Sequence, residues 1–503
     1  MRVIFVSVLL LFLHVLSSPG QLTPQEAQER LGRGINLGNT LEPPYEGGWN
    51  NPPAEERYFD AYKEAGFSTV RIPVRWDKHT AATAPYTIQS SWLDRVEEVA
   101  DWGLERGMFV IINAHHEEWL KSNYESADTL ARFVAIWRQV AERFKDKSDS
   151  LLFEIINEPY GMTIEQVDEL NDTILKVIRE SNPTRIVIYS GYRWSNSEEL
   201  MQARIPDDPY IMGYFHSYNP WSFAGQGNGT WGTLSDRNQI RDKFQTVGQW
   251  ARDHGVSIMI SEFGAMNGCE FNSRMQHYFV YVQNSLRQHI PFMAWDDGGQ
   301  FCILCRSSNT WFIIKDILIY TTLESPDWFK AEESGEGVHL TWMNMGEYDT
   351  LILERGPSVS TIEPLLGLSP TATAWVDSTA IQGYNYYRLK AYLHDTVFTY
   401  SYPVRVYHTP ATMVVSPDAT GLHLYPNPPK EGTIYLDTGD LPAGIPCSWE
   451  LFDMKGQSVA SGTFVTCEGD IELNPLPGKL TAGTYLFLLH ETRRTHTLRL
   501  VVD

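Results

Sequence analysis

The sequence predicts a (β/α)8 barrel followed by two small all-β sandwich domains. Three observations lead there. Eight short apolar runs alternate with amphipathic stretches from Gly34 to about Leu323. That alternation stops near Glu324, where short alternating strands begin and helix signals cease. A further β-rich unit follows a break at 410–421.

The first 20 residues stand apart. Arg2 gives a positive start, Val3–Leu16 is apolar apart from Ser7 and His14, and Ser17-Ser18-Pro19-Gly20 offers small residues for cleavage before Gln21. The run is short for a membrane span, which needs about 20 residues. Residues 1–20 therefore read as a signal peptide. No cysteine follows for lipid attachment, and no other segment reads as a span.

In the barrel, 21–323, the strand candidates are Gly34–Asn39, Thr69–Val74, Phe109–His115, Leu151–Asn157, Arg185–Ser190, Ile211–His216, Ser257–Glu262 and Pro291–Trp295. Each is short, apolar and β-branched, as parallel strands buried on both faces are. Helical patterns intervene at Glu55–Ala65, Trp92–Arg106, Ala127–Phe144 and Ile164–Glu180, with Ser91 and Thr163 as expected caps. The last helix is expected at Thr310–Thr322. A doubly wound open sheet is the alternative.

From 324 to 409 the expected strands are Val338–Trp342, Asp349–Glu354, Tyr384–Ala391 and Tyr402–Tyr407. Their aromatic pattern resembles a fibronectin type III or immunoglobulin-like module. The linker 410–421 leads to 422–503, with strands at Leu424–Pro428, Thr433–Asp437, Trp449–Met454, Gly483–Leu489 and Thr497–Val502.

Composition narrows the function. A net charge of −22 argues against nucleic acid or an anionic membrane as partner. The 43% apolar and 20% charged content is that of a globular chain. Five cysteines leave at least one unpaired within the chain, and Cys447 and Cys467 are close enough in sequence to pair. Cys269, Cys302 and Cys305 make an incomplete zinc shell. His115-His116-Glu117-Glu118 lacks the i, i+4 histidine pair of a zinc protease helix. No metal and no cofactor are expected. A Gly-x-Ser-x-Gly elbow for acyl hydrolysis is missing.

Two strand-like runs end in glutamate: Glu158 in Asn157-Glu158-Pro159 and Glu262 in Ser261-Glu262-Phe263-Gly264. The C-terminal ends of barrel strands carry catalytic groups. Two facing carboxyls are what glycosidic bond cleavage requires, one to protonate the leaving oxygen and one to attack the sugar or activate water.

Seven motifs in order resemble glycoside hydrolase family 5, subfamily 4 endoglucanases. They are Gly34-Ile-Asn-Leu-Gly-Asn-Thr-Leu-Glu42, Ala65-Gly-Phe-Ser-Thr-Val-Arg-Ile-Pro-Val74, Asn113-Ala-His-His-Glu117, Asn157-Glu-Pro159, His216-Ser-Tyr-Asn-Pro-Trp221, Ser261-Glu-Phe-Gly264 and Trp295-Asp-Asp-Gly298. The resemblance implies a retaining endo-β-1,4-glucanase acting on cellulose, mixed-linkage glucan or xyloglucan. It implies Glu158 as acid/base and Glu262 as nucleophile, the latter held by Arg71 and Tyr218. It further implies that Asn157 binds the sugar 2-hydroxyl, that His115 and His216 line the cleavage subsite, and that Trp295 faces the sugar ring. Asp297 departs from the asparagine relatives often carry, which puts sugar contacts near the cleavage point in question.

Other assignments stay open. Trp49, Trp119, Trp194 and Trp221 are either sugar platforms or loop packing. His116 is a supporting residue, Glu154 a buried structural acid, and Asn36 and Asn39 either hold the floor or reach a subsite. A mannanase or xylanase on the same scaffold, or a non-catalytic glycan-binding surface protein, is the rival reading.

Tyr425-Pro-Asn-Pro428, Leu451-Phe-Asp-Met-Lys-Gly456, Ala482-Gly-Thr-Tyr-Leu486 and the basic Arg493/Arg494 tail resemble the C-terminal sorting domain of type IX secretion. This implies the type IX machinery as a partner, and export through periplasm and outer membrane to the medium or cell surface. A monomer with a polysaccharide substrate is expected.

Overall fold

The computed structural model describes residues 21–334, 336–394, 396–409, 421–430, 433–438, 441–453, 456–466, 470–473, 480–491 and 495–502. The expected signal peptide, most of the linker, Cys467 and the Arg493/Arg494 pair lie outside the described residues.

Eight parallel strands close into a barrel in sequence order: β1 (Arg33–Asn36), β2 (Thr69–Ile72), β3 (Phe109–Asn113), β4 (Leu151–Glu154), β5 (Val187–Ser190), β6 (Ile211–Ser217), β7 (Ser257–Phe263) and β8 (Phe292–Ala294). Pairing of β1 with β8 completes the ring, which excludes the open sheet. Both faces of each strand are covered, which is why the runs read as nearly unbroken apolar sequence. The barrel interior is filled by Phe109, Ile111, Leu152, Ile188, Met212 and Met259. Leu22, Ala27 and Leu31, from the region of the helix Pro24–Leu31, join this cluster. Packing thus fills the interior, and polar side chains converge beyond the strands' C-terminal ends.

Thr163 caps the helix Ile164–Arg179 as expected, through a reciprocal capping box with Gln166. Ser91 does not cap. The helix spans Ser90–Glu105, so Ser91 lies inside it, and Gln89 precedes it without a side-chain cap bond. The final barrel helix is shorter than expected, Ile314–Tyr320. Thr310–Trp311 instead pairs antiparallel with Leu304–Cys305. Asn309, at φ +57°, turns the chain between them, a conformation asparagine tolerates well.

The next unit has two antiparallel sheets. One holds Asp327–Ser334, Gly337–Met343 and Ala374–Asp377. The other holds Thr350–Gly356, Glu363–Leu368, Gly383–His394, Val397–Tyr400 and Val404–His408. It packs directly on the barrel. Phe279 meets Tyr402 edge-on at 5.0 Å. Asn272 exchanges two hydrogen bonds with the Arg405 backbone, at 2.7 and 3.0 Å. The buried Arg237–Asp327 pair closes the contact at 2.5 Å. One apolar cluster runs through barrel and sandwich.

The last unit also has two sheets: His423–Lys430, Thr433–Asp437 and Asp470–Glu472, then Pro446–Asp453, Ser458–Val465, Gly483–His490 and Thr495–Val502. Its core, around Trp449, Leu451, Phe487 and Leu489, is a separate cluster.

Among the described residues Cys269, Cys302, Cys305 and Cys447 form no disulfide. The three barrel cysteines have separate hydrogen-bond partners: Phe223 O, Leu304 O and Ser307 Oγ. No helix among the described residues is long and apolar enough to cross a membrane.

Candidate active site

Strand register sets the floor of the site. Asn36 aligns with Arg71, and Asn113 with Glu154, so four polar side chains meet at adjacent strand ends. All four are fully buried. The Arg71 guanidinium donates two bonds to Glu154, from Nε at 2.7 Å and Nη2 at 2.6 Å. Nη1 donates to Glu262 Oε1 at 2.7 Å and to Asn36 Oδ1 at 2.9 Å. Nη2 also donates to Asn157 Oδ1 at 2.8 Å. Asn113 adds a bond to Glu154 at 2.9 Å. Asn36 donates to Ser261 O at 2.9 Å, and so holds the floor. Burial opposes the charge on Arg71, but Glu154 and Glu262 outweigh it and stabilise the cation.

Glu158 and Glu262 stand above this floor. Glu158 has φ +39°, a costly conformation for a non-glycine residue. The buried Tyr214 stabilises the turn: its Oη accepts from Glu158 N at 3.0 Å and donates to Ile156 O at 2.7 Å. His216 links the two carboxyls. Its Nδ1 is 2.8 Å from Glu158 Oε1 and 3.6 Å from Glu262 Oε2, and its Nε2 is 3.0 Å from Ser261 Oγ. Tyr218 Oη donates to Glu262 Oε2 at 2.9 Å.

The two carboxyls differ in environment. The side chain of Glu158 is 24% exposed and that of Glu262 only 6%. Water can therefore reach Glu158 more readily. Burial pushes the Glu262 carboxyl above its ordinary range, while His216 and Arg71 pull it back. Burial also holds His115 well below the usual histidine range and His116 at about 4, so both are neutral near pH 7. His115 lies parallel to Trp295, with ring centroids 5.9 Å apart.

One oxygen from each glutamate and one His216 nitrogen lie within 4.8 Å of one another. A cation there would face the Arg71 guanidinium on Glu262, an unfavourable neighbour. The arrangement suits proton transfer and nucleophilic attack. Around it opens a cleft of about 750 Å³.

The family model for cellulase (glycosyl hydrolase family 5) matches residues 32–299, the span that builds this barrel and site. The chain belongs to glycosyl hydrolase family 5. It is 47% identical over 283 residues to "Endoglucanase H" of Acetivibrio thermocellus, a match covering 56% of this chain and 31% of that protein. It therefore spans about a third of that relative. It is 32% identical to "Endoglucanase A" of Ruminococcus albus, covering 59% of this chain and 92% of that one. Among solved structures, Thermotoga maritima Cel5A in complex with mannotriose aligns with a TM-score of 0.56 at 34% identity, covering 59% of this chain and 98% of that chain.

In this family 5 barrel, the expected site residues Arg71, His115, Asn157, Glu158, His216, Tyr218, Glu262 and Trp295 converge on one end. The four loop tryptophans separate. Trp194 and Trp221 are each 56% exposed and line the cleft. Trp49, partly exposed, sets its ring edge against His116 at 5.4 Å. Trp119 is committed to packing. Its indole N–H donates to Glu117, its ring meets Phe133, and the Arg132 guanidinium covers it at 4.5 Å. Asn39 donates to Asn50 at 2.9 Å and so holds a loop. Asp297 Oδ1 accepts from Gly299 N and Phe301 N at 2.7 and 2.8 Å, which engages this oxygen in a loop turn.

Sequence reasoning placed Glu154 as a buried acid but not as the main partner of Arg71. It missed Tyr214, Asn113, Lys121 and Tyr160. Glu154 and Asn113 carried a signal, as polar residues inside apolar runs. Tyr214, one of two aromatics within β6, and Lys121 and Tyr160, in the segments after β3 and β4, carried none.

Proposed function

We propose that the chain is a secreted endo-β-1,4-glucanase that cleaves by double displacement with retention. The observation that carries this is the separation of Glu158 and Glu262, whose nearest carboxyl oxygens lie within 4.8 Å. Retaining glycosidases hold their carboxyls about 5–5.5 Å apart, while inverting enzymes leave roughly 6.5–9.5 Å for a water.

In this reading Glu262 attacks the anomeric carbon. Arg71 and Tyr218 fix the carboxylate and favour its charged form against burial. Glu158, more open to solvent and beside His216, gives its proton to the departing oxygen. It then takes a proton from the water that breaks the glycosyl–Glu262 ester. Asn157, oriented by Arg71, hydrogen-bonds the 2-hydroxyl, a contact that strengthens in the oxocarbenium-like transition state. Trp295, braced by His115, offers its face to the ring. These pre-positioned groups argue for an active catalyst over a glycan-binding barrel.

The substrate class is cellulose, mixed-linkage glucan or xyloglucan. Mannan is the second reading, because the aligned Thermotoga protein was solved with mannotriose. The C-terminal unit is proposed to direct type IX export and the leader to direct entry to the periplasm. The separate core of that unit is consistent with a removable sorting domain.

An aryl β-cellobioside with a good leaving group tests the roles. Glu158→Ala forms the glycosyl-enzyme without a general acid, and azide rescues turnover to the β-azide. Glu262→Ala yields the α-azide by direct attack. The same anomer from both variants overturns the assignment. A panel of β-glucans, xyloglucan, mannan and xylan then orders the substrates.

A further inference from the structure

His216 approaches both carboxyls, so the nitrogen that carries its proton decides what Glu158 can do. Nδ1 is 2.8 Å from Glu158 Oε1 and 3.6 Å from Glu262 Oε2. Nε2 points the other way, to Ser261 Oγ at 3.0 Å. The histidine is 2% exposed and Ser261 is fully buried, so bulk water is largely kept from this contact.

The hydrogens follow from the partners. Among the described residues the Ser261 hydroxyl has one hydrogen-bond partner, that ring nitrogen. A buried hydroxyl proton takes an acceptor within reach. Nε2 is that acceptor and therefore presents a lone pair. A neutral imidazole has a single N–H, which then sits on Nδ1 and faces Glu158. The Ser261 carbonyl is engaged separately, by Asn36 Nδ2 at 2.9 Å.

This arrangement selects an oxygen on the acid. Nδ1–H occupies Oε1, so a proton on Glu158 belongs on Oε2. Oε2 has no protein hydrogen-bond partner among the described residues, and Glu158 lines the cleft. The reverse tautomer would turn a lone pair toward Oε1. It would draw the acid proton into an Oε1–H···Nδ1 bond, away from substrate. It would also leave the Ser261 proton buried without an acceptor, which is costly. A doubly protonated ring strands the same hydroxyl proton.

We propose that Ser261 is a positioning residue for the acid/base: its hydroxyl fixes His216 as the Nδ1–H tautomer and keeps the transferable proton of Glu158 on Oε2. This rests on the reading of Glu158 as acid/base above. The proton passes from Oε2 to the departing oxygen. The attacking water later returns one to the same oxygen, so His216 neither gains nor loses a proton over the cycle.

NMR of the full chain carrying isotope-labelled histidine reads the ring directly, with His216→Gln assigning its signals. At neutral pH the wild type shows a protonated Nδ1 and a bare Nε2. A bare Nδ1, or a doubly protonated ring, overturns the proposal. Ser261→Ala removes the hydroxyl but keeps the carbonyl that Asn36 uses. Its kcat/KM on cellopentaose, whose leaving sugar needs a proton, falls roughly 3- to 10-fold, the worth of one hydrogen bond. On 2,4-dinitrophenyl β-cellobioside, whose leaving group needs none, it stays within about twofold. Ser261→Thr restores the hydroxyl and with it the cellopentaose rate. Equal losses on both substrates, no loss on cellopentaose, or a folded Ser261→Thr as impaired as Ser261→Ala overturns the proposal. Should neither variant fold, the wild-type ring alone decides. Glu158→Ala losing as much on the dinitrophenyl substrate as on cellopentaose removes the acid/base reading, while the tautomer stands or falls on its own signal.

Discussion

Arg71 grips Glu154 with two parallel N–H bonds, at 2.7 and 2.6 Å, and reaches the proposed nucleophile Glu262 with one. The planar fork is therefore committed to a fully buried carboxylate. Glu154 orients the cation, and the cation orients Glu262 and Asn157. Two carboxylates share one guanidinium, so each moderates the hold on the other.

This sharing predicts opposite pH shifts. Arg71→Met removes the positive neighbour of Glu262 and moves the acidic limb of kcat/KM upward. Glu154→Gln removes a negative neighbour and moves that limb downward, because an ionised Glu262 is then easier to form. Arg71→Met also leaves two buried carboxylates unpaired and costs about 3–5 kcal/mol of stability. Arg71→Lys keeps charge but loses the fork, lowering both activity and melting temperature. Profiles of kcat/KM against pH decide the matter. A limb that moves the same way in Arg71→Met and Glu154→Gln contradicts the shared-cation account.

The Tyr218 phenol donates to Glu262 at 2.9 Å, a bond that favours the charged carboxylate. Burial already pushes Glu262 above its ordinary range. Tyr218→Phe should raise it further, shifting the acidic limb upward and lowering kcat/KM roughly tenfold, about 1.4 kcal/mol. An unmoved limb would place Tyr218 in substrate contact rather than nucleophile control.

How much of this was legible in sequence depends on where each residue sits. Arg71 and Glu262 lie within short apolar strands and Glu158 ends the apolar run that continues past β4, where a charged residue is costly unless it has work to do. Pattern alone exposes them. The pairing of Arg71 with Glu154 joins positions 83 apart, and no local period encodes it. Lys121 and Tyr160 lie in the segments that follow β3 and β4, where neither alternation nor a helical stripe ranks one polar residue above another. The same limit explains the missed strand Asp327–Ser334. Its sequence, Asp-Trp-Phe-Lys-Ala-Glu-Glu-Ser, is largely polar, and it is ordered by pairing with Gly337–Met343. The short Leu304–Cys305 hairpin was hidden by the helical propensity of the following Ile313-Ile314-Lys315-Asp316-Ile317-Leu318 run.

Glu42, beside His115 and His116 beneath the cleft, offers a stability test. It is fully buried, and burial raises its pKa to about 8 despite bonds from the Asn39 and Thr40 backbone N–H groups. An unfolded glutamate titrates near about 4.3. Between those values the folded state keeps a proton that the unfolded state has released, so stability falls as pH rises. Glu42→Gln resembles the protonated acid and should flatten that fall. Melting temperatures at pH 5, 6.5 and 8 compare the slopes. Equal slopes in variant and wild type would mean Glu42 is ionised throughout.

The middle sandwich should behave as part of the barrel, and the last unit should not. Phe279 with Tyr402, Asn272 with Arg405 and Arg237 with Asp327 join barrel to sandwich through a continuous apolar cluster. Arg388 adds a bond across to Asp316 at 2.6 Å, beside the helix Ile314–Tyr320. Cutting the chain after Leu323 strips this cover and strands the buried Arg237 without its carboxylate, a loss of several kcal/mol. Cutting after Thr409 leaves every one of these contacts intact. The shorter chain should therefore melt well below the longer one or aggregate. The chain ending at Thr409 should match the full chain in turnover on soluble glucan, since the last unit's core is its own. Equal melting of the two truncated chains would reduce the sandwich to a passenger. Loss of turnover in the folded Thr409 chain would tie the last unit to catalysis and count against its proposed role in export.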